Sequence, residues 1–110
     1  MIERKFGRVT VKIVKKEFCH VIYFWESSKS VSMYPTDGDM KKIANTLKIK
    51  SKTNQLLHNV TVNVNTKETR VHCSGTQVIS LTRKHADALI DILENLEKYF
   101  EIAEFEEINK

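Results

Sequence analysis

The sequence predicts an α+β fold, an antiparallel sheet with helices covering one of its faces, and three observations carry that prediction. Apolar and polar residues alternate at Val9, Val11 and Ile13 and again at Val60, Val62 and Val64, the period of a strand with one buried face. Met40, Ile43, Ala44 and Leu47 fall at i, i+3, i+4 and i+7, and Ala86, Leu89, Ile90, Leu93, Leu96 and Phe100 carry a similar stripe over about five turns, the period of a helix lying on a core. The elements run strand, strand, strand, helix and then the same again, so strands neighbour strands as in an antiparallel sheet.

The first half opens on residues 8–16, with Val9, Val11 and Ile13 on one side and Arg8, Thr10, Lys12 and Lys16 on the other, a strand with a basic outer face. Residues 18–25 form an apolar and aromatic run interrupted only by His20, which reads as the central strand but does not reveal which of its sides is open. A turn at Glu26-Ser27-Ser28-Lys29 leads to a short strand at 31–34. Pro35-Thr36-Asp37-Gly38 then ends the strand and starts the first helix, whose end is suited by Lys48 and Lys50.

Residues 51–59 read as a polar connection. Beyond it Val60, Val62 and Val64 point inward against Thr61, Asn63 and Asn65, Asn65-Thr66-Lys67-Glu68 makes a hairpin turn, and Arg70 and His72 share the side opposite Val71. Ser74-Gly75 turns the chain into a strand at 77–81, and Thr82 is a good N-cap for the second helix, with residues 101–110 either continuing it or fraying.

Two pairs of phrases point to an internal duplication with repeats at 8–50 and 59–100, the alternative being coincidence between common strand and helix phrases. Val9-Thr10-Val11-Lys12 matches Val60-Thr61-Val62-Asn63, and Val31-Ser32-Met33-Tyr34 matches Ile79-Ser80-Leu81-Thr82. The offsets are 60 − 9 = 51 and 79 − 31 = 48 residues, so the second copy is the shorter.

At 110 residues and 41% hydrophobic content the chain fits one domain, 1–110, with a core that needs no staples. Cys19 and Cys73 sit in strand-like runs without CxxC or Cys/His ligand spacing and read as buried free thiols. No apolar run reaches the roughly 18 residues of a membrane span, so a cytoplasmic, intracellular protein is expected, in which the Asn59-Val60-Thr61 sequon carries no meaning. The net charge of +4 conceals a division: residues 1–84 hold 16 Lys or Arg against 6 acids, net +10, and residues 85–110 hold 2 against 8, net −6. Such a chain has a polarised surface whose basic end attracts phosphates, unless the charges merely solvate it.

Enzyme chemistry finds little footing. The glycines are Gly7, Gly38 and Gly75, none in a phosphate-cradling loop. Cys19 with His20, and Cys73 with His72, are sequence neighbours that point to opposite sides of a strand, so only a cross-strand pairing such as His20 with His72 stays open. His20, His58, His72 and His85 lack triad or metal-ligand spacing, and Glu94, Glu97, Glu101, Glu104, Glu106 and Glu107 read as a solvated or partner-binding helix stripe. A non-enzyme without cofactor or metal is expected.

What the residues favour is a sheet face carrying bases and aromatics, the way single-stranded DNA or RNA is held: cations follow the phosphates while bases stack on rings. Arg8, Lys12 and Lys16 supply charge, Arg70 and His72 extend it, and Tyr23 and Trp25 are the stacking candidates, the competing use of these two rings being core packing.

Val9-Thr10-Val11-Lys12, the run ending in Tyr23-Phe24-Trp25, and Ile79-Ser80-Leu81-Thr82 before a long helix together resemble the strand-and-helix unit of the Whirly, Pur-alpha and transcriptional positive-coactivator group over most of residues 8–97. The resemblance implies a curved antiparallel sheet that binds single-stranded nucleic acid, with two units pairing within a chain or as a dimer. That unit usually has four or more strands, where three are evident in the first half here. The alternative expectation is a small protein-binding or inhibitor module, of the size a phage or mobile element encodes, acting through its acidic C-terminal helix. The stripe from Leu89 to Phe100 suits a homodimer contact as well as a core helix.

Overall fold

The structure is a computed structural model that describes the backbone of residues 1–48, 53–57, 60–64, 68–73 and 77–108, and the side chains of 1–48, 69–71 and 78–108. Among the described residues the elements follow in order: β1 (Ile2–Phe6), β2 (Val9–Lys15), β3 (His20–Glu26), β4 (Lys29–Met33), α1 (Asp37–Lys48), β5 (Thr53–Leu57), β6 (Val60–Val64), β7 (Glu68–Cys73), β8 (Gln77–Thr82), α2 (Arg83–Glu94) and α3 (Leu96–Ile108). The fold is α+β, but the strands make two sheets rather than one, each a four-stranded antiparallel meander in chain order and each followed by a helix.

Each half has one strand more than the alternation shows. β1 escaped notice because Glu3, Arg4 and Lys5 fill its middle and only Ile2 and Phe6 are buried. Its pairing joins Ile2 to Ile13 and Phe6 to Val9 through a turn in which Gly7 takes φ +63°, a left-handed conformation that glycine adopts without steric cost. β5 occupies part of the segment read as a polar connection and pairs with β6 from Thr53↔Val64 to Leu57↔Val60. Residue 18 belongs to no strand: β3 starts at His20, and Phe18 stands 83% exposed in the preceding turn. Cys19, beside it, is a free thiol and half-buried rather than buried; the side chain of Cys73 lies outside the described residues.

The inner face of the first sheet is built from ranks of apolar residues in register, Ile2, Ile13, Ile22 and Met33 in one and Val11, Phe24 and Val31 in the next. Val71, Ile79 and Leu81 of the second sheet join the same core, as do Met40, Ile43, Ala44 and Leu47 of α1 and Leu89, Ile90, Ile92 and Leu93 of α2. Each such side chain larger than alanine contributes about 1.5–3 kcal/mol on leaving water. β8 lies beside β4 and reaches β3 and β2, so the two sheets share one core, with α1 packed on α2.

The helices begin and end where their caps dictate. Thr82 is extended (φ −69°, ψ 162°) and its hydroxyl accepts from the His85 N–H at 3.2 Å, fixing the start of α2. Arg83 donates to the Leu47 carbonyl near the end of α1, and Lys48 Nζ meets Glu94 Oε2 at 2.6 Å, tying α1 to α2. The single long stripe expected from 86 to 100 is divided by Asn95, whose backbone leaves the helix (φ −130°, ψ 41°) while its amide donates to the Asp91 carbonyl at 2.9 Å.

Candidate nucleic-acid interface

Alternation along β2 and β3 decides what the outer face of the first sheet presents. Ile22 and Phe24 turn into the core at 1% and 2% exposure, so Tyr23 and Trp25 take the opposite side, where both are half-buried. Their rings stack on each other, centroids 5.4 Å apart and planes 13° from parallel. The registers arrange this face as ranks across four strands: Glu3, Lys12, Tyr23 and Ser32 in one, Lys5, Thr10, Trp25 and Ser30 in the next, with Val14 and Val21 beyond the first. Directly opposite residues on antiparallel strands stand about 4.5–5.5 Å apart at Cβ, so Lys12 is the cross-strand neighbour of Tyr23.

The residues singled out from the sequence thus fall into groups. Lys12, Tyr23 and Trp25 form one platform. Arg8 and Lys16 are exposed at the two ends of β2, in the turns flanking it, about 26 Å apart for eight residues of extended chain. Arg70 is exposed on β7, between buried Thr69 and Val71, and therefore on the outward side of the second sheet, in register with Asn63 and Ser80. The continuous face expected for Arg70 with Lys12 is divided between two sheets. His72 lies on β7 opposite Thr61 and Val78, and its side chain is outside the described residues.

Three residues of the outer face and its margin had no part in the sequence prediction. Lys5 stands in the Trp25 rank because β1 is a strand, a fact legible only in the spacing of Ile2 and Phe6 before Gly7. Tyr34, 56% exposed, follows buried Met33 just beyond β4 and continues the outward alternation of Ser30 and Ser32. Phe18 is the third, at the β2–β3 turn.

His20, one member of the cross-strand pairing left open above, sits where β3 meets the helices. Its ring is buried, Nδ1 lies 3.0 Å from Asp37 Oδ1 in the first turn of α1, and Phe100 of α3 packs against it at 6.1 Å between centroids. It belongs to β3, on a different sheet from His72. Among the described residues no three His, Cys, Asp or Glu side chains are grouped to hold a metal ion, and no helix is long and apolar enough to cross a membrane. Among the described residues one acidity is displaced: Tyr99 is held above its usual range, chiefly because its hydroxyl donates to the Asp91 carboxylate.

In comparisons with known proteins, no family model, no curated protein and no solved structure matches the chain significantly.

Proposed function

We propose that this chain binds single-stranded nucleic acid, without catalysis, on the outer face of its first sheet. The observation that carries the reading is the stacked Tyr23–Trp25 pair on a solvent-facing sheet surface with Lys12 and Lys5 in the same ranks. Rings on the outside of a sheet lose the reward of core burial, and a base stacking on them restores it while lysines take the phosphates. Bases within a duplex are already stacked, which favours single strands. Four strands and a helix in each half agree with the unit that the Whirly, Pur-alpha and transcriptional positive-coactivator resemblance implies, and this supports the reading. The free Cys19 thiol fits work in the reducing cytoplasm.

Trp25 is the single tryptophan of the chain, so its fluorescence reports on this platform alone. A titration with an unstructured single-stranded oligonucleotide, at about 50 mM and about 200 mM salt, is expected to quench Trp25 emission and to weaken steeply as salt rises. A duplex of the same sequence should compete poorly. Binding that leaves Trp25 emission unchanged, or no binding at the lower salt, overturns the assignment.

A further inference from the structure

α3 stands apart from the other helices in having no buried residue. Its first turns are held in place: Leu96, Tyr99 and Phe100 pack against the core, Tyr99 donates to Asp91, and the Arg4 guanidinium lies 5.7 Å from the Tyr99 ring centroid. Phe100, Glu101 and Glu104 then line an open groove with Met1, Val14 and Lys15 at the end of the first sheet. Beyond that point Ile102, Phe105 and Ile108 are 38%, 67% and 81% exposed, among Glu101, Glu104, Glu106 and Glu107. A thirteen-residue helix is marginal in water by itself, so an acidic, apolar-studded end of this kind gains from a complementary surface.

That surface exists on the same chain. The outer face of the first sheet offers Lys5 and Lys12 beside stacked rings, with the one acid Glu3 opposite Lys12 and with Arg8 and Lys16 at its ends, and the sequence sets net +10 in residues 1–84 against −6 in residues 85–110. Within one molecule the pinned first turns of α3 hold its end at the Val14 side, about 13 Å along the strand from the Thr10–Trp25 rank. A second molecule meets no such restriction. We infer that the C-terminal half of α3 docks on the outer sheet face of a second copy of this chain, reciprocally, and competes there with nucleic acid. Reciprocal docking gives two identical contacts and closes the assembly as a dimer. The competition rests on the function proposed above; the docking does not. Ligands that exclude each other from one surface weaken each other by the same factor, so single-stranded nucleic acid dissolves the dimer.

The docking is tested without nucleic acid by sedimentation velocity at about 50 mM and about 200 mM salt. A concentration-dependent dimer that salt weakens is expected, and a monomer at all concentrations at the lower salt overturns the inference. Charge reversal then identifies the surfaces. Lys5→Glu with Lys12→Glu makes the face acidic, and Glu106→Lys with Glu107→Lys makes the end of the helix basic, each weakening self-association about tenfold or more. Mixed one to one, the two variants bring opposite charges together at both contacts and recover the dimer. Loss of dimer in each alone without recovery in the mixture overturns the assigned surfaces. Adding oligonucleotide to the wild-type dimer supplies the last arm. Dissociation to a monomer–oligonucleotide complex is expected; a dimer that stays intact while binding the oligonucleotide overturns the competition. If the charge-swapped mixture dimerises but no oligonucleotide binds, the docking stands and the nucleic-acid reading falls, so the two failures are told apart.

Discussion

The two halves of this molecule have the same strand order, but only the first carries aromatic rings on the outer face of its sheet. β1–β4 with α1 and β5–β8 with α2 are each a four-stranded meander followed by a helix, and both send apolar residues into one core, Ile13 and Ile22 from the first sheet and Ile79 and Leu81 from the second. Outside, the central strand β3 shows Tyr23 and Trp25, while the corresponding strand β7 shows Arg70. Residues 1–34 contain six Phe, Tyr or Trp and residues 35–98 contain none. Both halves thus supply what the shared core needs, and only one half has the rings that stacking needs.

The largest effect expected from this comparison is on stability, where the halves should behave alike. Ile22→Ala and Ile79→Ala each remove a side chain at 1% or 0% exposure from the shared core, at a cost of about 2–5 kcal/mol apiece. Urea unfolding followed by Trp25 fluorescence and by circular dichroism should show one coincident transition for both variants. If Ile79→Ala produced a separate early transition seen only by circular dichroism, the second half would fold as its own unit and the shared core would be refuted.

Binding should separate the halves. Trp25→Ala removes one stacking surface, worth about 1–3 kcal/mol per base, and should weaken single-strand affinity roughly fivefold to a hundredfold and more. Arg70→Ala, on the corresponding strand of the other sheet, should change affinity far less. Equal losses in fluorescence anisotropy would mean that both sheets carry the ligand.

What the sequence could show follows the same division. Strict alternation exposed β2 and β6, and helical spacing exposed α1 and α2, because each has one wet face and one dry one. β1 stayed hidden because three charged residues hold its middle while strand pairing, not its own pattern, makes it a strand. The division of α2 from α3 was invisible because Leu96 and Phe100 continue the apolar stripe past Asn95, and only the local hydrogen bonds of Asn95 and Tyr99 with Asp91 redirect the chain. For the candidate site, Lys12, Tyr23 and Trp25 were nameable in advance, but a run such as 18–25 is apolar on both sides, so its open side emerged only from burial of Ile22 and Phe24. Lys5 and Tyr34 required the register and the strand ends.

The finest discrimination lies in salt dependence, which counts phosphate contacts rather than total affinity. Lys12 adjoins Tyr23 across the strand pair, so a base stacked on that ring brings its backbone within reach of the ammonium group. Lys12→Gln should therefore lower the slope of log affinity against log salt by about 0.7 for a single strand, one contact's worth, with a modest loss of affinity at the lower salt. Arg70→Gln tests whether charge on the second sheet participates at a distance: a guanidinium that touches no phosphate only raises the local potential, which salt screens over roughly 10 Å, and leaves the slope nearly unchanged. A drop equal to that of Lys12→Gln would place phosphate on both sheets. The path of the strand would then cross from the aromatic half of the molecule to the half without rings, and specificity for unpaired bases would reside in the first half alone while length dependence would come from the two together.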